Sequence, residues 1–285
     1  MTSSMRRHPH LYEINARIFL RRLSERYDRK LTLSSIPEEV WIKFKDDGFD
    51  LIWLMGAWRR SPGARLAALN DPALKRSFSE ALPDWNERDV VGSPYAIYDY
   101  SLDPALGEPW ELSELKKKLN HIGLKLILDF VPNHLTFDHP WTAEHPDRFV
   151  HGTKHQTKLY PGWFFSPSAG IYLAHGRDPN FSPWGDTVQV NLFSEDLCKA
   201  WIEQLLHISE CSDGLRCDMA MLGLTRVFEE TWGEFVKGHP RPADEFWSVA
   251  IRELKAKRPE FILLAEVYWD LEWKLQELGF DFTQT

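Results

Sequence analysis

DGLRCDMA, residues 213–220, reads as a short buried strand that nonetheless carries Arg216 and Asp218 two positions apart. Side chains two apart on a strand leave the same face. A guanidinium and a carboxylate are thus directed into one space at the end of a core run, where charge is costly unless it is paired or used. Two further apolar runs end in the same manner. LKLILDFVPNH (124–134) carries Asp129, then Asn133 and His134, and EFILLAEVYW (260–269) carries Glu266, then Trp269. One acid at a strand end often serves only to cap the next helix. Three acids at the same end of one sheet, one with an arginine partner, converge on a pocket.

Between these runs the chain alternates strands with amphipathic stretches. LYEINARIFL (11–20) is strand-like, and PEEVWIKFKDDG (37–48) is a short helix with Pro at its start and Gly past its end. FDLIWLMGAW (49–58) is a continuous apolar strand; 59–109 reads as irregular, rich in Pro, Asp and Ser. WELSELKKKLNHIG (110–123) and SEDLCKAWIEQLLHISEC (194–211) are helices, the latter with Ser194 as N-cap. Residues 225–257 are helical with a break near KGHPRPAD, LEWKLQELG is a short helix, and FDF starts one more strand. Apolar strands covered on both sides mean a parallel sheet. Five or six such units fit a (β/α)8 barrel or a doubly wound sheet, and no GxGxxG or GxxxxGK[ST] follows any strand to favour the latter. The long inserts 59–109 and 135–190 follow strands, which in a barrel builds the face where sites sit.

The 285 residues suffice for one large α/β domain or two ordinary ones. A net charge of −8 argues against nucleic-acid and anionic-membrane partners. No run approaches 18 consecutive apolar residues, and MTSSMRRHPH lacks the apolar stretch of a signal peptide. Cys198, Cys211 and Cys217 have no metal-ligand spacing, which fits reduced core residues of a cytoplasmic protein. The 13 Trp suit either a core or a surface that stacks on sugar rings. Trp58, ending the second strand, is a candidate pocket wall. Trp163, Phe164 and Phe165 read as loop core before they read as sugar platforms.

Carboxylates on adjacent strands suit work at a glycosidic bond, where retaining enzymes hold a pair roughly 5 Å apart. The nucleophile must stay ionised, which a nearby cation favours; Asp218 beside Arg216 fits. The proton donor needs a raised pKa, which an apolar wall supplies; Glu266 in LLAEVYW fits. A zinc hydrolase is disfavoured, because only His134 lies near the acids.

These motifs resemble those of the alpha-amylase family of glycoside hydrolases (family 13). LDFVPNH, GLRCDMA and LLAEVYW look like its first three signatures in order, and GSPYAIYDYSLDPALG (92–107) and GDTVQVN (185–191) resemble further family stretches. The resemblance runs from about residue 11 to 283. It implies a (β/α)8 TIM barrel with an inserted loop domain: strands 1–3 in residues 1–134, the loop domain in 135–190, and the barrel continuing in 191–285. It implies retaining chemistry on starch-, glycogen- or maltooligosaccharide-type substrates, with Asp218 as nucleophile and Glu266 as acid/base. Arg216 would orient Asp218, Tyr95 would stack on the sugar, and Asp129 and His134 would support it; Trp269, close after Glu266, reads from its position alone as packing or as subsite wall. No cofactor is required, although Asn133 matches a position that often binds structural Ca²⁺. Met221 and Leu222 replace a Lys-His pair of many relatives, which weakens the case for Ca²⁺, and Ser93 stands where many have His. LGFDFTQT resembles the start of the sixth strand, and the family's fourth signature, a His-Asp pair with the third acid, is absent. The resemblance therefore implies a barrel cut short, with impaired activity. Transglycosylation and non-catalytic carbohydrate binding remain as alternatives.

Overall fold

The computed structural model describes residues 6–285; the first five residues of MTSSMRRHPH, read above for a leader, lie outside it. Its centre is a six-stranded sheet in sequential order: β1 (Leu11–Asn15), β2 (Leu51–Met55), β3 (Lys125–Phe130), β4 (Gly214–Cys217), β5 (Ile262–Glu266) and β6 (Phe282–Gln284). Every neighbouring pair is parallel. Helices lie between successive strands, among them Glu38–Asp46, Glu111–His121, Glu195–Cys211, Phe246–Lys257 and Glu272–Glu277. This is the (β/α)8-barrel architecture over six strands. Strands buried on both faces explain the uninterrupted apolar runs: Leu126 through Phe130 and Gly214 through Cys217 are all buried.

Most of the large aromatics form the packing between sheet and helices. Trp41, Trp201 and Trp247 are shut away from solvent. Trp201 Nε1 donates to the Pro132 carbonyl at 3.0 Å and Trp247 Nε1 to the Ala220 carbonyl at 2.8 Å, so two of the indoles pin strand-following loops to the helix layer. Trp58 joins this core. It is 2% exposed, and its Nε1 donates to the Asp129 carbonyl at 2.7 Å, so it is not a pocket wall.

Three acids fix strand register at the amino-terminal end of the sheet. Asp50, Asp213 and Asp281 each precede an even-numbered strand, and each accepts a backbone N–H from the strand before: His10 at 2.9 Å, Leu126 at 2.9 Å and Leu263 at 2.8 Å. Each also returns its own N–H to the same neighbour's carbonyl and has a lysine within 4 Å: Lys45, Lys125 and Lys255.

The structure departs from the sequence reading in three places. The strand expected over 11–20 stops at Asn15, whose side chain accepts from Ile18 N at 3.2 Å and starts a helix over Ala16–Arg26. The run 49–58 breaks at Gly56, where φ of +75° turns the chain into a separate short strand, Trp58–Arg60. That strand pairs antiparallel with Ile97–Leu102. The stretch 59–109 is not irregular throughout. It holds helices Pro62–Asn70 and Pro72–Ala81, capped by Ser61 and Asp71, each followed by proline at the first helical position. The insert 135–190 is bounded by a two-strand ladder, His134–Thr136 against Thr187–Gln189, and contains a hairpin of Phe164–Ser168 with Ile171–Ala174. Trp163, Phe164 and Phe165 pack within it and against Trp232 and Phe235.

Candidate active site

At the carboxyl ends of β3, β4 and β5, three acids meet one guanidinium. Parallel register sets Arg216 opposite Asp129 on one side and Leu264 on the other. Its Nη1 lies 2.7 Å from Asp218 Oδ1 and 3.6 Å from Asp129 Oδ1, and its Nη2 lies 2.6 Å from Glu266 Oε2. Arg216, Asp129 and Asp218 are buried, while Glu266 keeps a partly open face. The rings of Trp53 and Tyr95 flank the guanidinium, with centroids 4.9 Å and 5.4 Å from its carbon.

Asp129 and Glu266 have further donors of their own. Asp129 accepts from Trp53 Nε1 at 3.1 Å and from Gly56 N at 3.4 Å, where the turn after β2 brings its backbone against β3. Glu266 accepts the Tyr268 hydroxyl at 3.0 Å and the Met219 N–H at 2.7 Å. Met219, directly after Asp218, holds a left-handed conformation with φ of +43°. A side-chain-bearing residue adopts this at a cost of about 1–3 kcal/mol, and here the conformation coincides with a backbone donor aimed at Glu266. Trp269 and Asp270 are also left-handed, with φ of +67° and +58°. Trp269 is exposed, and no hydrogen bond or ring contact among the described residues ties it to the Arg216 cluster.

His134 sits behind this group, buried, with its ring 5.1 Å from that of Trp184. Burial lowers its pKa to about 4, so it is a neutral imidazole at pH 7. Asn133 is fully engaged by protein: its Oδ1 accepts from Gln189 Nε2 at 3.0 Å and its amide nitrogen faces His134. Among the described residues no group of three or more His, Cys, Asp or Glu side chains is arranged to hold a metal ion.

The electrostatics follow from one cation serving three buried carboxyls. Burial pushes Asp129 up to about 7, against the pull of Arg216. Burial also raises Asp218 despite its contact with Arg216, and raises Glu266 together with the neighbouring Asp218 charge. Asp218 and Glu266 are held by the two terminal nitrogens of one guanidinium. Burial raises the Tyr95 hydroxyl too, so it stays protonated.

The sequence motifs led to Asp129, Arg216, Asp218 and Glu266, which the fold brings together, and to Tyr95 and His134 beside them. Trp53, Tyr268 and the Met219 N–H were missed as ligands of these acids. Trp53 was hidden inside a run read only as core. Its polar nitrogen on a buried strand two positions before the Met55–Gly56 turn was the available signal.

Known proteins resemble this chain over part of its length. Residues 84–196 match the family model described as alpha amylase, catalytic domain. "Alpha-amylase 3" of Dictyoglomus thermophilum is 25% identical over 195 residues, 64% of this chain and 34% of the relative. An alpha-1,4-glucan:maltose-1-phosphate maltosyltransferase of Burkholderia pseudomallei is 24% identical over 85% of this chain and 18% of its own length. A solved alpha-amylase from Lactobacillus plantarum superposes with a TM-score of 0.58 at 22% identity, covering 96% of this chain and 49% of the other. The chain thus spans about half of that structure and a third or less of these two curated relatives. The chain is thus similar to the alpha-amylase family, whose catalytic-domain model matches residues 84–196.

Proposed function

We propose that the chain carries the reacting centre of an enzyme that cleaves or transfers α-glucosidic bonds of starch- or maltooligosaccharide-type substrates with retention. One observation carries the reading: a single buried guanidinium bonds Asp218 at 2.7 Å and Glu266 at 2.6 Å. Two carboxyls on one cation share one proton, because ionising both leaves an uncompensated buried charge. Glu266, open on one side and raised by burial and by Asp218, is the holder of that proton. Asp218, ionised against Arg216, attacks the anomeric carbon as Glu266 protonates the departing oxygen. The resulting glycosyl ester is released when Glu266 takes a proton from the incoming hydroxyl. That hydroxyl belongs to water in hydrolysis and to a sugar in transfer; relatives named for an amylase and for a maltosyltransferase support both outcomes. Tyr95 forms one face of the sugar site, Asp129 and neutral His134 bond its hydroxyls, and Trp269, after Glu266, is a further substrate contact.

The bond from Gln189 Nε2 to Asn133 Oδ1 supports a protein-held role for Asn133 and a centre that requires no cofactor. No helix among the described residues is long and apolar enough to cross a membrane. The three cysteines are unpaired, which supports a reducing, cytoplasmic setting.

The test is a mechanism-based fluorinated glucosyl fluoride followed by peptide mass spectrometry, alongside turnover of maltooligosaccharides. The label is expected on Asp218, and Asp218→Asn is expected to abolish labelling and turnover while leaving oligosaccharide binding intact. A label elsewhere, or turnover that survives the substitution, overturns the assignment. Binding without turnover or label in the parent chain establishes the non-catalytic carbohydrate-binding alternative instead.

A further inference from the structure

A cavity of about 740 Å³ opens between the helical hairpin of the first insert and the Trp184–Asp186 turn of the second. Its far wall is apolar, formed by Leu74, Phe78, Leu82 and Trp85 with alanines of helix Pro62–Asn70 beneath them. Helix Pro72–Ala81 buries none of its ten residues, yet Leu74, Phe78 and Ala81 share one face at helical spacing. That face looks into the cavity. An amphipathic face left open in this way is a binding surface.

The near end of the cavity is polar and borders the Arg216 site. Trp184 lines the cavity on one side and lies against His134 on the other, at 5.1 Å between ring centroids. Ser93 also lines it, and its hydroxyl accepts the N–H of Tyr95, whose ring lies over Arg216. Asp186 contributes a carboxylate with no side-chain hydrogen bond among the described residues. The other two carboxylates are spent: Asp71 caps its helix through Ala73 N and Leu74 N, and Asp89 is bonded to Asn86.

This distribution selects the occupant. A second sugar ring against this wall would set its hydroxyls on leucine, phenylalanine and alanine, which offer them no hydrogen-bond partner. A phosphorylated or sulfated group would meet Asp71, Asp89 and Asp186. A neutral apolar ring or chain meets neither penalty. We propose that the cavity takes a neutral apolar group, aryl or alkyl, carried by the sugar that the Arg216 site holds, with Asp186 accepting a sugar hydroxyl at the junction. The inference rests on the glycoside reading of that site.

The experiment titrates the full chain with 4-nitrophenyl α-D-glucoside, methyl α-D-glucoside and free 2-naphthol by calorimetry and ligand-observed NMR. The aryl glucoside is expected to bind at least tenfold more tightly than the methyl glucoside. Ala67→Trp places an indole into the cavity from an exposed helix position. It is expected to erase that difference and to abolish 2-naphthol binding while methyl glucoside affinity stays unchanged. Phe78→Ser, at a half-exposed position, is expected to weaken the aryl glucoside severalfold and serves if the tryptophan variant does not fold. Equal affinity for the two glucosides, or an aryl preference untouched by both variants, overturns the proposal. Binding of 2-naphthol that Ala67→Trp abolishes, in a chain that takes neither glucoside, supports the cavity and overturns the glycoside reading instead.

Discussion

Asp129 shows how a single residue's environment becomes a property of the whole chain. It is buried beside an arginine that already holds two other carboxyls, and its pKa is pushed up to about 7, against about 3.9 in an unfolded chain. Between those values the folded state keeps a proton that the unfolded state has released. Stability from this group is therefore present below about pH 4 and lost as pH rises through 7. Asp218 and Glu266, both raised, act in the same sense. His134 and His139 act in the opposite sense, because burial lowers each to about 4 and the unfolded imidazoles take up protons first. Their effect ends near pH 6.5, so the informative quantity is the difference between the parent and Asp129→Asn. The amide keeps an acceptor for Trp53 Nε1 but cannot ionise. Urea unfolding from pH 5 to 8 is expected to show the parent losing up to roughly 2.5 kcal/mol relative to the variant. A difference that stays flat with pH means that Asp129 is ionised throughout in the folded state.

At the scale of the elements, the sheet separates two uses of acids. Those at the carboxyl ends of β3, β4 and β5 meet at Arg216, whereas Asp50, Asp213 and Asp281 at the amino ends of β2, β4 and β6 hold the preceding strand in register. Asp213→Ala is expected to cost about 1–3 kcal/mol, because it leaves the Leu126 N–H at the start of β3 without its acceptor. A variant as stable as the parent would show that the backbone contact between residue 213 and Leu126 holds the register alone. The first set of acids was legible in the sequence because each interrupts the end of an apolar run, and charge in a core demands a reason. The second set was not, since an aspartate just before a strand looks like ordinary turn chemistry. The helix after β1 was hidden because ARIFL is as apolar as a strand, and only the capping of Asn15 separates the two readings. In the first insert the paired signals Ser61-Pro62 and Asp71-Pro72 were present and outweighed by overall Pro and Asp content. The ligands of the acids were the least legible part. The Met219 N–H depends on one positive φ angle that no residue type at that position announces.

For the molecule as a whole, the contrast lies between a well-packed outer layer and two open sheet edges. Tryptophans and leucines seal the sheet against its helices, but among the described residues β1 and β6 each pair on one side only. Between those edges lies a hollow of about 310 Å³ on the inner face, lined by Leu11, Leu51, Ile127, Ile262, Leu264 and Phe282. Leu11 and Phe282, at its two rims, are only partly buried. Unpaired backbone N–H and C=O groups beside an apolar surface are a template for another strand. The 285-residue chain is therefore expected to self-associate as its concentration rises through the micromolar range, with sedimentation equilibrium giving a weight-average mass above 33.3 kDa. Phe282→Lys sets a charge at the rim of the hollow and on the β6 edge together, and should hold the chain monomeric over the same range. Because Phe282 is half-buried, on β6 two strands from Arg216, the loss of packing should lower stability by about 1–2 kcal/mol. A parent chain that stays at 33.3 kDa at every concentration would show that the twist of β1 and β6 already protects both edges.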